Sequence, residues 1–200
     1  MKEPEETRAA ERVVLDGRGL RALSHPVRVR LVGLLRQHGP ATATQLARRL
    51  SLNSGATSYH LRQLAGAGFV EEDTERGNAR DRWWRAVHQL TAVEPELVAA
   101  EPEAAQAFLQ SVAAAHILRL QQGLNELATM PRDWGPAFHL SDVTLRLTPE
   151  QAWEVGRELW AVLDRYREEN RRHADEPGRG SVAVQFHVLP DFAGDEEREA

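Results

Sequence analysis

Residues 42–70 read TATQLARRLSLNSGATSYHLRQLAGAGFV, and their apolar spacing predicts two short helices joined by a tight turn. Thr42 or Thr44 can cap the first helix, expected over residues 45–50, because a threonine hydroxyl accepts hydrogen bonds from the free N–H groups of a helix start. Residues 51–53 then form the connection. This order of elements is typical of a helix-turn-helix.

The second helix is expected over about residues 54–65. In a helix-turn-helix this helix enters the major groove of DNA and presents its N-terminal residues to base edges. Taken singly, Ser54 is equally compatible with a capping role, and Tyr59 or His60 with a place partly in the core. The candidate DNA contacts on this helix are Ser54, Gly55, Ala56, Thr57, Ser58, Tyr59, His60 and Arg62.

Two further helical segments precede this motif. Residues 13–23 are helix-compatible, and the sequence at 24–26 indicates the start of another helix, with Ser24 or His25 as its cap and proline near its first position. Apolar residues then recur at helical spacing until His38-Gly39-Pro40 ends the element. The sequence therefore predicts a small helical core around the motif.

A β-hairpin is expected after the second helix of the motif, with strands at residues 69–72 and 82–87 and a polar turn at 74–80. A hairpin in this place forms a wing that reaches the backbone phosphates or the minor groove. Neighbouring strand residues point to opposite faces, so one of Trp83 and Trp84 must face the helices. The candidate DNA contacts of the wing are Arg76, Asn78 and Arg80.

The charge of this region differs from that of the whole chain. No Asp or Glu lies between Gly17 and Val70, although the 200 residues carry a formal net charge of -5. Residues 18–88 hold twelve arginines and five acidic residues, a net charge of +7 that leaves -12 for the rest. Charge alone is also compatible with a solvated arginine-rich face, but charge together with the order of elements favours nucleic acid as the partner.

Four segments, taken in order, resemble the ArsR family of bacterial winged-helix repressors. The resemblance implies a homodimer that binds a pseudo-palindromic operator in double-stranded DNA and releases it when an effector binds. It also implies a dimer interface formed by residues 11–23 and by the helical region after Leu90. The segments are LRALSHPVR at 20–28, TQLA at 44–47, SYHLRQL at 58–64 and AGFV at 67–70.

Metal sensing, which the family's metal-responsive members imply, does not fit these residues. The chain contains no cysteine, so thiolate metal sites and thiol redox sensing are excluded. His116 is the single histidine of the helix after the wing, and a lone histidine there is more often structural than a ligand. His139 and His187 are the one remaining pair that could converge. We therefore expect no metal and no cofactor.

A long helix is expected over residues 103–128, with an apolar stripe along it. The stripe indicates either packing against a symmetry mate or an intramolecular core. Beyond it, alternating residues predict strands at 138–147 and 181–189 around a helix that opens with a capping box at 148–151 and ends near His173. The predicted fold class is α+β: an N-terminal winged helix-turn-helix at 1–90, and at 91–200 a long dimerisation helix followed by a strand-helix-strand module.

The C-terminal module also carries candidate ligand-binding residues. Its aromatic side chains could line an apolar pocket for a small-molecule effector, although aromatic residues at helical spacing more often form a core. The residues are Trp134, Phe138, Trp153, Trp160 and Phe186.

The function expected from these patterns is that of a DNA-binding transcriptional regulator, a homodimeric repressor whose signal is unknown. The alternative is a winged-helix interaction module without sequence-specific DNA binding. No nucleotide loop, nucleophile elbow or metal-hydrolase motif indicates an enzyme. No apolar run is long enough for a membrane span and the first residues lack a signal-peptide core, so we expect a cytoplasmic protein without membrane contact.

Overall fold

A computed structural model describes residues 12–76, 81–173 and 176–190 of the chain. They form two compact units, one ending at Thr129 and the other beginning at Met130. No helix in these ranges combines the length and the apolar character that crossing a membrane requires.

The first unit contains the predicted helix-turn-helix and wing, together with the long helix. Its elements are β1 (Arg12–Val14), α1 (Gly17–Leu23), α2 (Pro26–His38), β2 (Ala41–Thr42), α3 (Ala43–Leu50), α4 (Ser54–Gly66), β3 (Val70–Glu72), β4 (Trp83–Ala86), β5 (Leu90–Ala92), α5 (Pro95–Ala100) and α6 (Pro102–Glu126), with a 3-10 turn at Leu127–Thr129.

The apolar core lies where α1, α2, α3 and α4 meet the wing. Each helix contributes at least one leucine that is completely removed from solvent. On the sheet side Trp84 is buried in this core and Trp83 is half-buried, as expected for neighbouring strand residues, which point to opposite faces. Burying a leucine side chain stabilises the fold by about 1.5–3 kcal/mol. The fully buried leucines of these helices are Leu20, Leu31, Leu46, Leu61 and Leu64.

The wing sheet has three strands in the order β2-β4-β3, all antiparallel. The hairpin strands were predicted, but the short β2, which pairs Ala41 with Trp84, was not. A second sheet pairs β1 with β5 in parallel. The predicted helix over residues 13–23 is therefore wrong in its first part: Val13 and Val14 lie in β1, and the helix begins only at Gly17, where the Asp16 carboxylate caps it.

A half-buried arginine, Arg36, ties α2 to the segment after the wing. The Arg36 Nε donates to the carbonyl of His88 at 2.7 Å, and its terminal nitrogen donates to the Thr91 hydroxyl at 2.8 Å. Burial lowers the pKa of Arg36 to about 10, so the side chain keeps its charge at neutral pH. These bonds hold β5 beside α2. From β5 the chain continues into α5.

The two halves of α6 have different surroundings. In the N-terminal half, Ala105, Phe108 and Ser111 are buried where α6 packs on α1 and α2. In the C-terminal half large apolar side chains are exposed, with Ile117 58% exposed and Leu124 41% exposed. The intramolecular interpretation of the apolar stripe is thus correct for the first half of the helix.

The second unit consists of a 3-10 segment, Arg132–Ala137, and α7, Pro149–His173. The predicted capping box is confirmed: Thr148 Oγ1 accepts from the Gln151 N–H at 3.3 Å, and Gln151 Oε1 accepts from the Thr148 N–H at 2.9 Å. The predicted strands at 138–147 and 181–189 are wrong, since neither segment is assigned as a strand. A strand needs a hydrogen-bonded neighbour, which alternation of side chains cannot supply.

Leu61→Ala should lower the free energy of unfolding of the first unit by about 2–5 kcal/mol, because it opens a cavity in the core that its neighbours cannot fill. Leu52→Ala is the matched control, since Leu52 is 36% exposed and should cost less than about 1.5 kcal/mol. Urea unfolding followed by circular dichroism measures both. Equal losses for the two variants would contradict the assignment of Leu61 to the core.

Candidate nucleic-acid interface

The turn between α3 and α4 sets the position of the candidate recognition helix. Ser51 takes the left-handed conformation, with φ 55°, and its N–H donates to carbonyls at the end of α3. Asn53 then caps α4, because its Oδ1 accepts from the Ala56 N–H at 2.7 Å. The first helix of the motif is capped by Thr42 through a capping box with Gln45, so Thr42 and not Thr44 has this role.

The burial of α4 separates an inner face from an outer face. Thr57, Leu61 and Leu64 point into the core, which leaves the opposite side of the helix to solvent. No acidic side chain interrupts that side. Its exposed residues are Ser54, Gly55, Tyr59, Arg62 and Gln63, while Ala56, Ser58 and His60 are half-buried at its margin.

Thr57 differs from the prediction. Its side chain is completely buried, and its hydroxyl donates to the Asn53 carbonyl at 3.0 Å. Helical spacing places residue 57 one turn from Leu61, on the inner face, so this hydroxyl is not available to DNA in the structure. Ser54 is the first residue of the helix and not its cap, which leaves its side chain exposed.

His60 lies at the junction of α4 with the start of α2. Its ring centroid is 4.6 Å from that of His25, the residue that caps α2 by accepting from the Val27 N–H. Burial, and then the proximity of His25 and Arg28, lower the pKa of His60. These surroundings favour the neutral ring, and the half-buried His60 supports the helix junction, in line with a place partly in the core.

The wing carries its charge in pairs. The Arg82 Nε lies 3.1 Å from the Glu72 Oε2, and the Arg85 Nε lies 2.8 Å from the Glu71 Oε1. Arg76, the predicted backbone contact, is exposed and lies 3.6 Å from Asp73. Asn78 and Arg80, the other two predicted wing contacts, lie outside the described residues.

The predicted aromatic ligand set is brought together only in part. Trp160 and Phe186 meet edge to face, with ring centroids 5.5 Å apart. Trp134 lies against Gly180, whereas Phe138 is half-buried and Trp153 is 67% exposed. An effector pocket formed by all five stays a prediction.

No group of three or more His, Cys, Asp or Glu residues that could hold a metal ion is present among the described residues. His116 lies in the middle of α6, where it is half-buried.

Asn53→Ala should destabilise the first unit by about 1 kcal/mol, because the Ala56 N–H in the first turn of α4 loses its hydrogen-bond acceptor. Ser54→Ala tests the neighbouring residue that sequence reasoning considered as a cap, and its effect should stay within about 0.5 kcal/mol. Thermal unfolding of both variants distinguishes the two roles. A larger loss in Ser54→Ala would show that the cap is assigned to the wrong residue.

Comparison with known proteins bears on the same segment. Residues 23–73 match a family model described as a helix-turn-helix domain. No curated protein matches the chain. The match spans α2, α3, α4 and the first wing strand, which are the elements that form the candidate interface.

Several solved structures are similar to the chain. An apo mutant of ZitR from Lactococcus lactis is 14% identical, with 70% of this chain and 81% of that chain covered and a TM-score of 0.30. A transcriptional regulator homologue from Pyrococcus horikoshii OT3 is 23% identical, with 52% and 87% covered and a TM-score of 0.30. The MarR family regulator NMB1585 from Neisseria meningitidis is 23% identical, with 52% and 72% covered and a TM-score of 0.29. The family match thus makes residues 23–73 similar to a helix-turn-helix domain, an architecture that places its second helix in the major groove of DNA.

Proposed function

We propose that the protein is a homodimeric, ArsR-like winged-helix repressor that binds a pseudo-palindromic operator in double-stranded DNA. In this proposal α4 enters the major groove, the wing contacts the backbone, and the second half of α6 joins two copies. The single observation that carries the proposal is the outer face of α4, which is uncovered and free of acidic side chains.

The chemistry of that face suits DNA. Ser54 and Gly55 are small and leave the positive end of the helix open to a phosphate. Tyr59 is 53% exposed and offers a ring and a hydroxyl, while Arg62 adds a guanidinium one turn further along. Arginine binds guanine through two parallel hydrogen bonds, which makes Arg62 the candidate for reading sequence.

Arg76 is proposed to contact the DNA backbone rather than the bases. It follows the first hairpin strand, and its exposed guanidinium lies 3.6 Å from the buried carboxylate of Asp73, which leaves most of the group facing solvent. A wing arginine in this place reaches phosphates, which are the same in every sequence. Arg76 therefore contributes affinity rather than specificity.

The exposed stripe on the second half of α6 supports the proposed dimer. Ile117, Leu120 and Leu124 lie on one side of the helix at spacings of three and four residues. Leu109, in the first half of α6, is exposed on the same side about three turns before Leu120. A row of large apolar side chains in water is typical of a surface that a partner covers. A second copy of the same helix offers a complementary row, since a two-fold axis brings the same patch of both copies together.

The repressor role follows from the resemblance to the ArsR family, whose members act by occupying promoters. Incubating the protein with sheared DNA of its own organism, followed by sequencing of the bound fragments, tests the proposal directly. Enrichment of a few pseudo-palindromic sites near promoters is the expected result. No enrichment over bulk DNA would favour the alternative, an interaction module that keeps the fold without sequence-specific binding.

Arg62→Ala should weaken binding to an enriched site by about 1–3 kcal/mol and should leave binding to random DNA less affected, because it removes a base contact. Arg76→Ala should weaken binding to both DNAs about equally and reduce the dependence of affinity on salt, because it removes a phosphate contact. Fluorescence anisotropy with the two DNAs at several salt concentrations measures both effects. Unchanged affinity in both variants would contradict the proposed interface.

Ile117→Glu should convert the dimer to a monomer at micromolar concentration, because it buries an unpaired charge in the proposed interface. Gln122→Glu adds the same charge to an exposed position on the opposite side of α6 and should leave the dimer intact. Sedimentation velocity distinguishes the two results. A wild-type monomer, or a dimer that Ile117→Glu leaves unchanged, would contradict the use of this face.

A further inference from the structure

Four arginines converge on one pocket between α1, α2 and α4. The pocket has a volume of about 310 Å³ and opens to solvent beside the C-terminal end of α4. Sequence reasoning counted Arg18, Arg21 and Arg28 only within a basic stretch and named Arg62 as a candidate DNA contact, because Arg62 is distant along the chain from the other three. The pocket is lined by Arg18, Arg21 and Ala22 of α1, Arg28 of α2, and Arg62, Gln63, Gly66 and Ala67 of α4 and its end.

Backbone acceptors hold two of these guanidinium groups in place. Arg18 donates to the carbonyl of Gly66, which ties α1 to the end of α4. Arg28 donates through a terminal nitrogen to the carbonyl of Arg21 at 3.0 Å, which ties α2 to α1. The groups are thus oriented before any ligand arrives, so a ligand would lose less free energy in ordering them.

Within the ranges that the structure describes, one of the four arginines of the pocket is paired with a carboxylate and three are not. Arg21 lies 2.5 Å from Glu101, at the start of α6. In the described part of the chain, Arg18, Arg28 and Arg62 contact backbone carbonyls but pair with no carboxylate. In addition, the Arg28 Nε is buried and has no hydrogen-bond acceptor there. A buried N–H group without an acceptor is costly, so the described residues leave the hydrogen bonds of Arg28 incomplete.

We propose that this pocket binds the phosphate group of a small molecule. Guanidinium groups form paired, charge-assisted hydrogen bonds with phosphate oxygens, and four of them around one concave site match an ion with several oxygens and more than one negative charge. A water molecule in the liquid occupies about 30 Å³, so a pocket of about 310 Å³ is larger than a single phosphate ion requires. The site therefore has room for a phosphorylated organic ligand.

Binding at this site would act on the candidate DNA interface through Arg62. This step rests on the proposed DNA-binding function. Arg62 lines the pocket and also belongs to the exposed face of α4, so a ligand phosphate and the DNA compete for the same guanidinium. A phosphorylated ligand would thus release the operator, which is how an effector controls a repressor.

The first experiment uses the full-length protein without DNA. Isothermal titration calorimetry with sodium pyrophosphate, at ionic strength held constant with sodium chloride, measures binding to the wild-type protein and to the double variant Arg18→Gln/Arg21→Gln. Pyrophosphate should bind the wild-type protein, and the double variant should bind it at least about tenfold more weakly, as expected for loss of hydrogen bonds to a charged group.

Two further variants make this result specific. Arg48→Gln/Arg49→Gln removes the same charge from exposed positions on α3, outside the pocket, and should bind pyrophosphate like the wild-type protein. Arg28→Lys keeps the charge but replaces the planar guanidinium, which can form two parallel hydrogen bonds to a phosphate, with an ammonium. It should also weaken pyrophosphate binding about tenfold. Circular dichroism checks that each variant is folded; if the double variant is not, Arg28→Lys decides. No binding by the wild-type protein, or equal losses in the pocket and control variants, would overturn the proposal.

The second experiment adds a DNA fragment that the protein binds, and measures its affinity by anisotropy. Pyrophosphate should weaken DNA binding by the wild-type protein about tenfold more than sodium chloride of equal ionic strength does. If pyrophosphate binds but DNA affinity does not respond, the site stands and its regulatory role is overturned. If the pocket variants weaken DNA binding while pyrophosphate does not bind, the phosphate recognised is that of the DNA backbone and the small-molecule site is overturned. Absence of any DNA binding contradicts the proposed function and leaves the first experiment valid.

Discussion

The burial of Leu61 and Leu64 on one side of α4 is the constraint on which the rest of this domain depends. Once these leucines are in the core, the rotation of the helix about its axis is set, and Tyr59 and Arg62 must face outward. The same rotation takes Thr57 inward, where its hydroxyl bonds to the Asn53 carbonyl. The candidate interface is therefore a consequence of core packing, and a slip of α4 by one residue would replace its outer face.

The wing and the helices of this domain differ in how their positive charges are balanced. The arginines of the wing strands lie beside carboxylates of the neighbouring strand, as in the pairs of Arg82 with Glu72 and Arg85 with Glu71. In contrast, the helical part of the domain has no acidic residue between Gly17 and Val70. Its arginines are spread over all four helices without a carboxylate among them, which gives this part of the domain a positive field toward an anionic partner.

Local signals accounted for most of the fold. The caps at Thr42 and Thr148 act through residues three positions away, so a short window of sequence contains everything they need. Glycine ends α4, and Gly68, with φ 80°, takes a backbone conformation that other residues avoid. The wing strands follow from alternation and from the polar turn between them. For such features the physical cause lies within a few residues, so a single sequence could predict them, although it left Thr42 and Thr44 both open as caps and only the structure assigned the role to Thr42.

What sequence alone established is thus the helix-turn-helix, its wing and the sign of its charge, because helical spacing, capping and composition are local properties. Tertiary structure decided the features that join distant parts of the chain. The pairing of β1 with β5 made a strand of residues 12–14, which by spacing alone were compatible with a helix. The approach of α1, α2 and α4 brought Arg18, Arg28 and Arg62 to one pocket. In each case the partner is remote in sequence, and only packing of the whole core selects it among many residues of the same chemical type.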